Sequence, residues 1–352
     1  MEASPFLLVV ADTASQRRQL TRAVLEHCES QRLPVALVDL ASDLTLPDGQ
    51  MPIQRYDADA WADTIWQALV PVLAPWLALL ELEPVGSERP FLGAIPGLDT
   101  VLRALYLAHC WHERPSASAL VVVMPPLAQA SEILQVLRRG PDLLEGLWSP
   151  LLAWWSQTRQ RLAQFELVLR LRLPGAESLA LSPAWRLRLQ DLAARLLHEA
   201  EPVEALLSLS VELEDLPHLA GRVAALPLCG IRQPRLWLEG ELPHPALEQL
   251  NRSLGVPLLH GRSGEQALAF GPWLVQPLRT ESRCWLADPE GYRCRLFLPG
   301  LIREGLRVRQ SGQQLLISSG GLQLEVPLPA EWSQLACRSA RIDAPWLEIG
   351  LS

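Results

Sequence analysis

The sequence predicts an α/β protein: a doubly wound, mostly parallel sheet, followed by a C-terminal all-β sandwich. Three observations carry that prediction. Pro5 to Glu26 reads as buried strand, tight turn and helix start, with Phe6 to Val10 continuously apolar and Leu20, Ala23, Val24 and His27 at helical steps. Apolar strand-like runs then alternate with amphipathic helical stretches. After about Gly271 the texture changes to short alternating segments punctuated by Gly and Pro.

In order, residues 17 to 32 read as a first helix, with Arg17, Arg18 and Arg22 on its polar side. Pro34 to Asp39 reads as a second buried strand ending in an acid, and Leu44 to Tyr56 as turn-rich. Asp57 to Leu82 is helical by pattern, with Pro71 and Pro75 expected to kink or split it. A Gly/Pro loop leads into a helix from Thr100 to His112. Ala119 to Met124 is a third apolar strand, closed by Pro125-Pro126, and Ala128 to Arg138 the next helix. Asp142 to Leu162 reads as helix, Phe165 to Leu173 as an alternating strand and Pro183 to Glu199 as helix. Val203 to Val211 is a strand, Leu213 to Leu226 a helix and Ile231 to Leu238 a strand. The sandwich strands fall at Tyr292 to Leu298, Leu306 to Gln310, Leu315 to Ser318, Leu322 to Leu328 and Trp346 to Leu351, with a hairpin turn at Ser319-Gly320-Gly321. The expected domains are 1–270 and 285–352.

Composition narrows the function. In 352 residues, 49% hydrophobic and 20% charged content describes a packed globular chain. A net charge of -8 argues against nucleic acid or an anionic membrane surface as the main partner. The chain has no lysine, so no Schiff base, lysine general base or lysine phosphate clamp is available. Six scattered cysteines without a C-x-x-C fit a reduced, cytoplasmic setting. The start lacks a basic n-region, and no apolar run reaches the ~18 residues of a membrane span, so no membrane insertion is expected.

Tyr292 to Leu301, with Leu298-Pro299-Gly300, then Leu306-Arg307-Val308-Arg309, Gln314 to Ile317, Leu328-Pro329, Ala340 to Asp343 and Trp346 to Leu351, resembles the small heat-shock-protein (α-crystallin) sandwich. Ile95 to Asp99, the strand Leu120 to Val123 with the helix after it, Gly140 to Leu144, and Leu206 to Leu209 followed by Cys229-Gly230-Ile231 resemble the ArsA-like family. That family comprises the anion-transporting and tail-anchored-protein targeting ATPases, and one subgroup carries an α-crystallin-like tail. The resemblance implies a P-loop NTPase-like fold.

The departures define the expected function. Where the family has Gly-Lys-Gly-Gly-x-Gly-Lys-Thr, this chain has Ala11-Asp12-Thr13-Ala14-Ser15-Gln16-Arg17-Arg18. The glycines that let backbone N–H groups approach a phosphate are gone, and Asp12 brings a negative charge. Met124-Pro125-Pro126 stands where the family has a catalytic Asp, and Glu239-Gly240 where it has an adenine-reading Asn; the zinc-binding Cys-x-x-Cys is absent. The expectation is a non-catalytic ArsA-like protein without cofactor. Asp12, Thr13, Ser15 and Arg17 occupy the degenerate phosphate position, and Asp12, Thr13 and Ser15 read as a helix cap. The alternative is an ATPase with an unorthodox site, which would take ATP and Mg²⁺.

Leu147, Trp148, Leu151, Trp154 and Trp155 lie in a stretch apolar on nearly all sides, which suits either the core or a partner. In the targeting branch, helices after the switch region build a client groove. The resemblance thus implies a protein client or paralogous subunit as partner, or a homodimer. The pair His109 and His112 shares a helical face but has no evident third metal ligand. His260 to Gly264 reads as a turn, and Glu212, Glu214 and Asp215 as a solvated helix start.

Overall fold

The computed structural model describes residues 5–46, 51–79, 97–116, 118–140, 153, 156–157, 160, 183–197, 203–211, 216–261, 267–276, 282–288 and 291–352. They form two compact units, one of residues 1–54, 114–132 and 195–352, the other of 55–113 and 133–194.

The first unit holds a seven-stranded sheet. Its strands are β1 (Phe6–Ala11), β2 (Val35–Asp39), β3 (Ile53–Arg55), β4 (Ala119–Val123), β5 (Glu204–Ser210), β6 (Gln233–Glu239) and β7 (Leu258–Gly261). Their order is β3-β2-β4-β1-β5-β6-β7. Every pairing from β2 through to β7 is parallel. Continuous apolar strands suit this arrangement, because both faces of a parallel sheet are covered. Val9, Val121, Leu206 and Trp237 pack with Leu20 and Val24 of α1 (Ala14–Ser30) and with Phe270 and Trp273, on one face.

Helix α1 begins at Ala14, so Ala14 to Gln16, expected ahead of the helix, already form its first turn. Arg17, expected on the polar side, is buried at 5% exposure; its partners are given below. The stretch from Leu44 to Tyr56, expected to be turn-rich, contains the short edge strand β3. His260 and Gly261, read as a turn, end strand β7, which pairs with β6. A four-residue edge strand carries too short an alternation to stand out in sequence.

The second unit contains α2 (Ala58–Leu79), α3 (Leu98–Glu113) and α5 (Pro183–Leu197). Another helix, α4, covers 127–140. The expected strand from Phe165 to Leu173, and nearly all of the expected helix from Asp142 to Leu162, lie outside the described residues.

Further along the first unit come α6 (Leu216–Leu228), α7 (His244–Leu254) and α8 (Ala267–Leu274). The sandwich follows. Strands β8 (Arg283–Asp288), β9 (Gly291–Phe297), β13 (Cys337–Asp343) and β14 (Trp346–Leu351) form a sheet of order β13-β14-β9-β8. The facing sheet is β10 (Arg307–Ser311), β11 (Gln314–Ser319) and β12 (Leu322–Pro327). All these pairings are antiparallel, and alternate residues such as Leu347, Ile349 and Leu351 point inward. Gly320 and Gly321 turn β11 into β12 with φ of 58° and 80°, as a two-glycine hairpin turn requires.

Candidate functional site

In an open parallel sheet, ligands bind beyond the carboxyl ends of the strands where the strand order reverses. Here β1 lies between β4 and β5, so that position is the turn from β1 into α1. Only Asp12 and Thr13 connect Ala11, the last residue of β1, to Ala14, the first of α1. Two residues cannot encircle a phosphate as an eight-residue glycine-rich loop does.

Side chains take up the donors that a phosphate would use. Thr13 caps α1: Gln16 N donates to Thr13 Oγ1 at 3.2 Å, and Thr13 N donates to Gln16 Oε1 at 3.0 Å. This capping box satisfies two orphan amides of the helix start. Gln16 is fully buried, and its Nε2 donates to Ser210 Oγ at 2.9 Å and to Glu239 Oε2. One glutamine thereby ties α1 to the ends of β5 and β6.

Asp12 reaches Ser210 as well. Its carboxylate accepts from Ser210 N at 3.1 Å and from Arg222 Nη2 on α6 at 2.6 and 2.7 Å. Arg17 donates to Ala11 O at 2.8 Å and pairs with Asp43. At the end of β2, the buried Asp39 accepts from Ser42 N at 2.9 Å and Leu44 N at 3.0 Å. The strand ends thus gather four carboxylates, Asp12, Asp39, Asp43 and Glu239, against two guanidinium groups, Arg17 and Arg222. That balance opposes a triphosphate, and both cations already have carboxylate partners.

Of the four residues expected at the phosphate position, Asp12 and Arg17 are engaged in ion pairs and Thr13 in the cap, while Ser15 is exposed on α1. Gln16 and Glu239, named in the sequence for other positions of the resembled family's site, complete the network together with Ser210, Arg222 and Asp43, which no sequence pattern marks. The T-x-x-Q spacing of Thr13 and Gln16 was the one local signal, being a capping-box signature. Leu147, Trp148, Leu151, Trp154 and Trp155 lie outside the described residues.

The second unit carries an aromatic cluster. The Trp61 ring lies 5.2 Å from those of Tyr106 and His109 and 5.6 Å from that of Trp185. His109 Nδ1 is 3.2 Å from Arg188 Nη1; burial first, and then the Arg188 charge, hold its pKa below 6.5. Tyr56 donates to Asp99 Oδ1 at 2.9 Å, and burial with that bond raises its pKa. Burial also pushes the Cys110 thiol up to about 12, which makes it inert near neutrality. Among the described residues no cluster of His, Cys, Asp and Glu is placed to hold a metal ion, and no helix is long and apolar enough to cross a membrane.

An α/β sheet with a filled switch-point crevice, joined to a seven-stranded antiparallel sandwich, defines the class. Residues 289–351 match the family model of the HSP20-like domain found in ArsA. The sandwich from residue 289 to residue 351 is therefore an HSP20-like domain similar to the one found in ArsA. No curated protein matches the chain.

Proposed function

We propose that the chain is a non-catalytic, ArsA-like protein that binds apolar protein segments or a partner subunit in a chaperone- or targeting-like role. The observation that carries this reading is the self-satisfied end of β1, where a two-residue turn, the Thr13–Gln16 capping box and the Asp12–Arg222 pair occupy the place of a phosphate loop. Its ArsA-type sandwich supports a family link, and the free cysteines fit a reducing, cytoplasmic setting. Trp154 and Trp155, in the apolar stretch 147–155, are the residues we assign to client or subunit contact; a homodimer is one such pairing.

Isothermal titration of the full chain with Mg-ATP tests the non-catalytic half. No heat of binding is expected up to millimolar nucleotide, and saturable binding would restore the reading as an ATPase with an unorthodox site. For the partner half, Trp154→Ser with Trp155→Ser should weaken capture of a fluorescent apolar peptide without moving the unfolding midpoint. Unchanged capture by that variant would remove the assigned surface.

A further inference from the structure

Helix α6 is loaded on two faces. On one, Leu219 and Val223 are buried, and Arg222 reaches the Asp12 carboxylate at the end of β1. On the other, Ala224 and Leu228 belong to the hydrophobic core of the sandwich, together with Leu315, Ile317, Leu347 and Ile349. The approach is close at the backbone as well. A Cβ built on Gly300, in the loop after β9, would lie 2.2 Å from Ala220 O and 3.0 Å from Ala224 N. One turn away, Ile302 Cδ1 is 3.9 Å from where a Cβ on Gly221 would stand. The sandwich therefore lacks a complete core of its own: a helix from the α/β part supplies two of its buried side chains and the seat for its first loop.

We infer that the Asp12–Arg222 ion pair regulates the sandwich through α6. Arg222 lies two residues before Ala224 and six before Leu228, on a helix of 13 residues. Arg222 and Ala224 stand within one turn of α6, ahead of Pro227, so fixing Arg222 fixes the Ala224 end of the surface that completes the core around Leu315 and Ile317. The ion pair is partly sheltered, with side chains 35% and 23% exposed for Arg222 and Asp12. It is accordingly stronger than a fully exposed pair and still reachable by a competing anionic group. Any anionic group that draws Arg222 away from Asp12 loosens the seat of the sandwich, so the end of β1 controls the HSP20-like domain.

Native-state amide hydrogen exchange on the full chain reads this coupling, because it resolves local opening from global unfolding. Arg222→Gln, which leaves the Asp12 bond to Ser210 N in place, and Asp12→Asn are the test variants. Glu26→Gln, which removes an exposed partner of Arg22, is the control. The expected result is exchange of β11 and β14 amides faster by about five-fold or more in both test variants. Amides of β4, an inner strand of the parallel sheet, and all amides in the control, should keep their rates. Unchanged β11 and β14 rates overturn the inference, as does an equal acceleration of β4, β11 and β14, which marks global destabilisation without coupling. If one test variant fails to fold, the other decides by the same reading.

Discussion

Two turns meet helix α6, and they meet it by opposite means. The turn after β1 has no glycine and reaches α6 through side chains, Asp12 to Arg222. The loop after β9 presses its backbone onto the helix at Gly300, where φ is +78° and no Cβ fits beside Ala220 O. The first contact is made by side chains alone, a carboxylate on the turn and a guanidinium on the helix. The second is a main-chain approach that only glycine permits. A nucleotide site needs the second kind of contact at the first place, since phosphate is held by closely approaching N–H groups. This chain keeps its close backbone approach for the HSP20-like domain and lets side chains close the end of β1.

The largest expected effect breaks the backbone contact. Gly300→Ala brings both a left-handed residue and an overlap with Ala220 O. Strain of 1–3 kcal/mol from the backbone and a similar amount from overpacking give about 3 kcal/mol or more of lost stability. Gly305→Ala is the matched comparison: φ is +73° and the space around it is open, so only the backbone cost of about 1–2 kcal/mol applies. Urea unfolding of the two variants measures the difference. Equal losses would show that the seat on α6 yields as readily as open solvent.

A smaller effect comes from the side-chain turn. Thr13→Ala removes the acceptor for Gln16 N, and a lost N-cap costs about 1 kcal/mol. Gln16 retains its bonds to Ser210 and Glu239, which limits the damage. A loss above about 3 kcal/mol, measured in the same urea series, would mean that the cap also holds the ends of β5 and β6 in place.

Much of this fold was legible because burial imposes a period. Trp346 to Leu351 alternates so regularly that the strand has the same ends in sequence and structure, and Phe6 to Val10 could only be a strand buried on both faces. The likeness of the tail was legible in Leu298-Pro299-Gly300 and the order of alternating segments after it, and Gly300 is where a close backbone approach requires glycine. The start of α1 is harder to read, because its apolar period begins only at Leu20 while its cap is a polar pair: Thr13, one of the three residues expected to cap it, is the N-cap, and Gln16 completes the box. Arg17 reads as a surface residue, since arginine is seldom buried without partners; Ala11 O and Asp43 are those partners. The Asp12–Arg222 pair joins residues 210 apart in sequence. No local pattern announces a contact of that range.

The smallest expected effect concerns a helix contact of a third kind, within the second unit. His109 touches its neighbours through a titrating ring, which neither contact on α6 does. The ring sits 5.2 Å from that of Trp61 and 6.4 Å from that of Trp185, and its Nδ1 faces Arg188 Nη1. Burial and the Arg188 charge disfavour the imidazolium, while Glu113 favours it; the first two prevail, so the folded pKa lies below 6.5. Below that pH the unfolded chain binds more protons at this site than the folded chain does. The stabilisation contributed by neutral His109 is therefore present above about pH 6.5 and lost as pH falls below it. His109→Phe keeps a ring against the two tryptophans and removes the titration. Between pH 7.5 and 5.5, the wild-type urea midpoint should drop further than that of the variant, and the His109 imidazole should titrate by NMR with a midpoint below 6.5. A midpoint at or above 6.5 would show that the Glu113 carboxylate outweighs burial and Arg188, and the variant would then be the more acid-sensitive of the two.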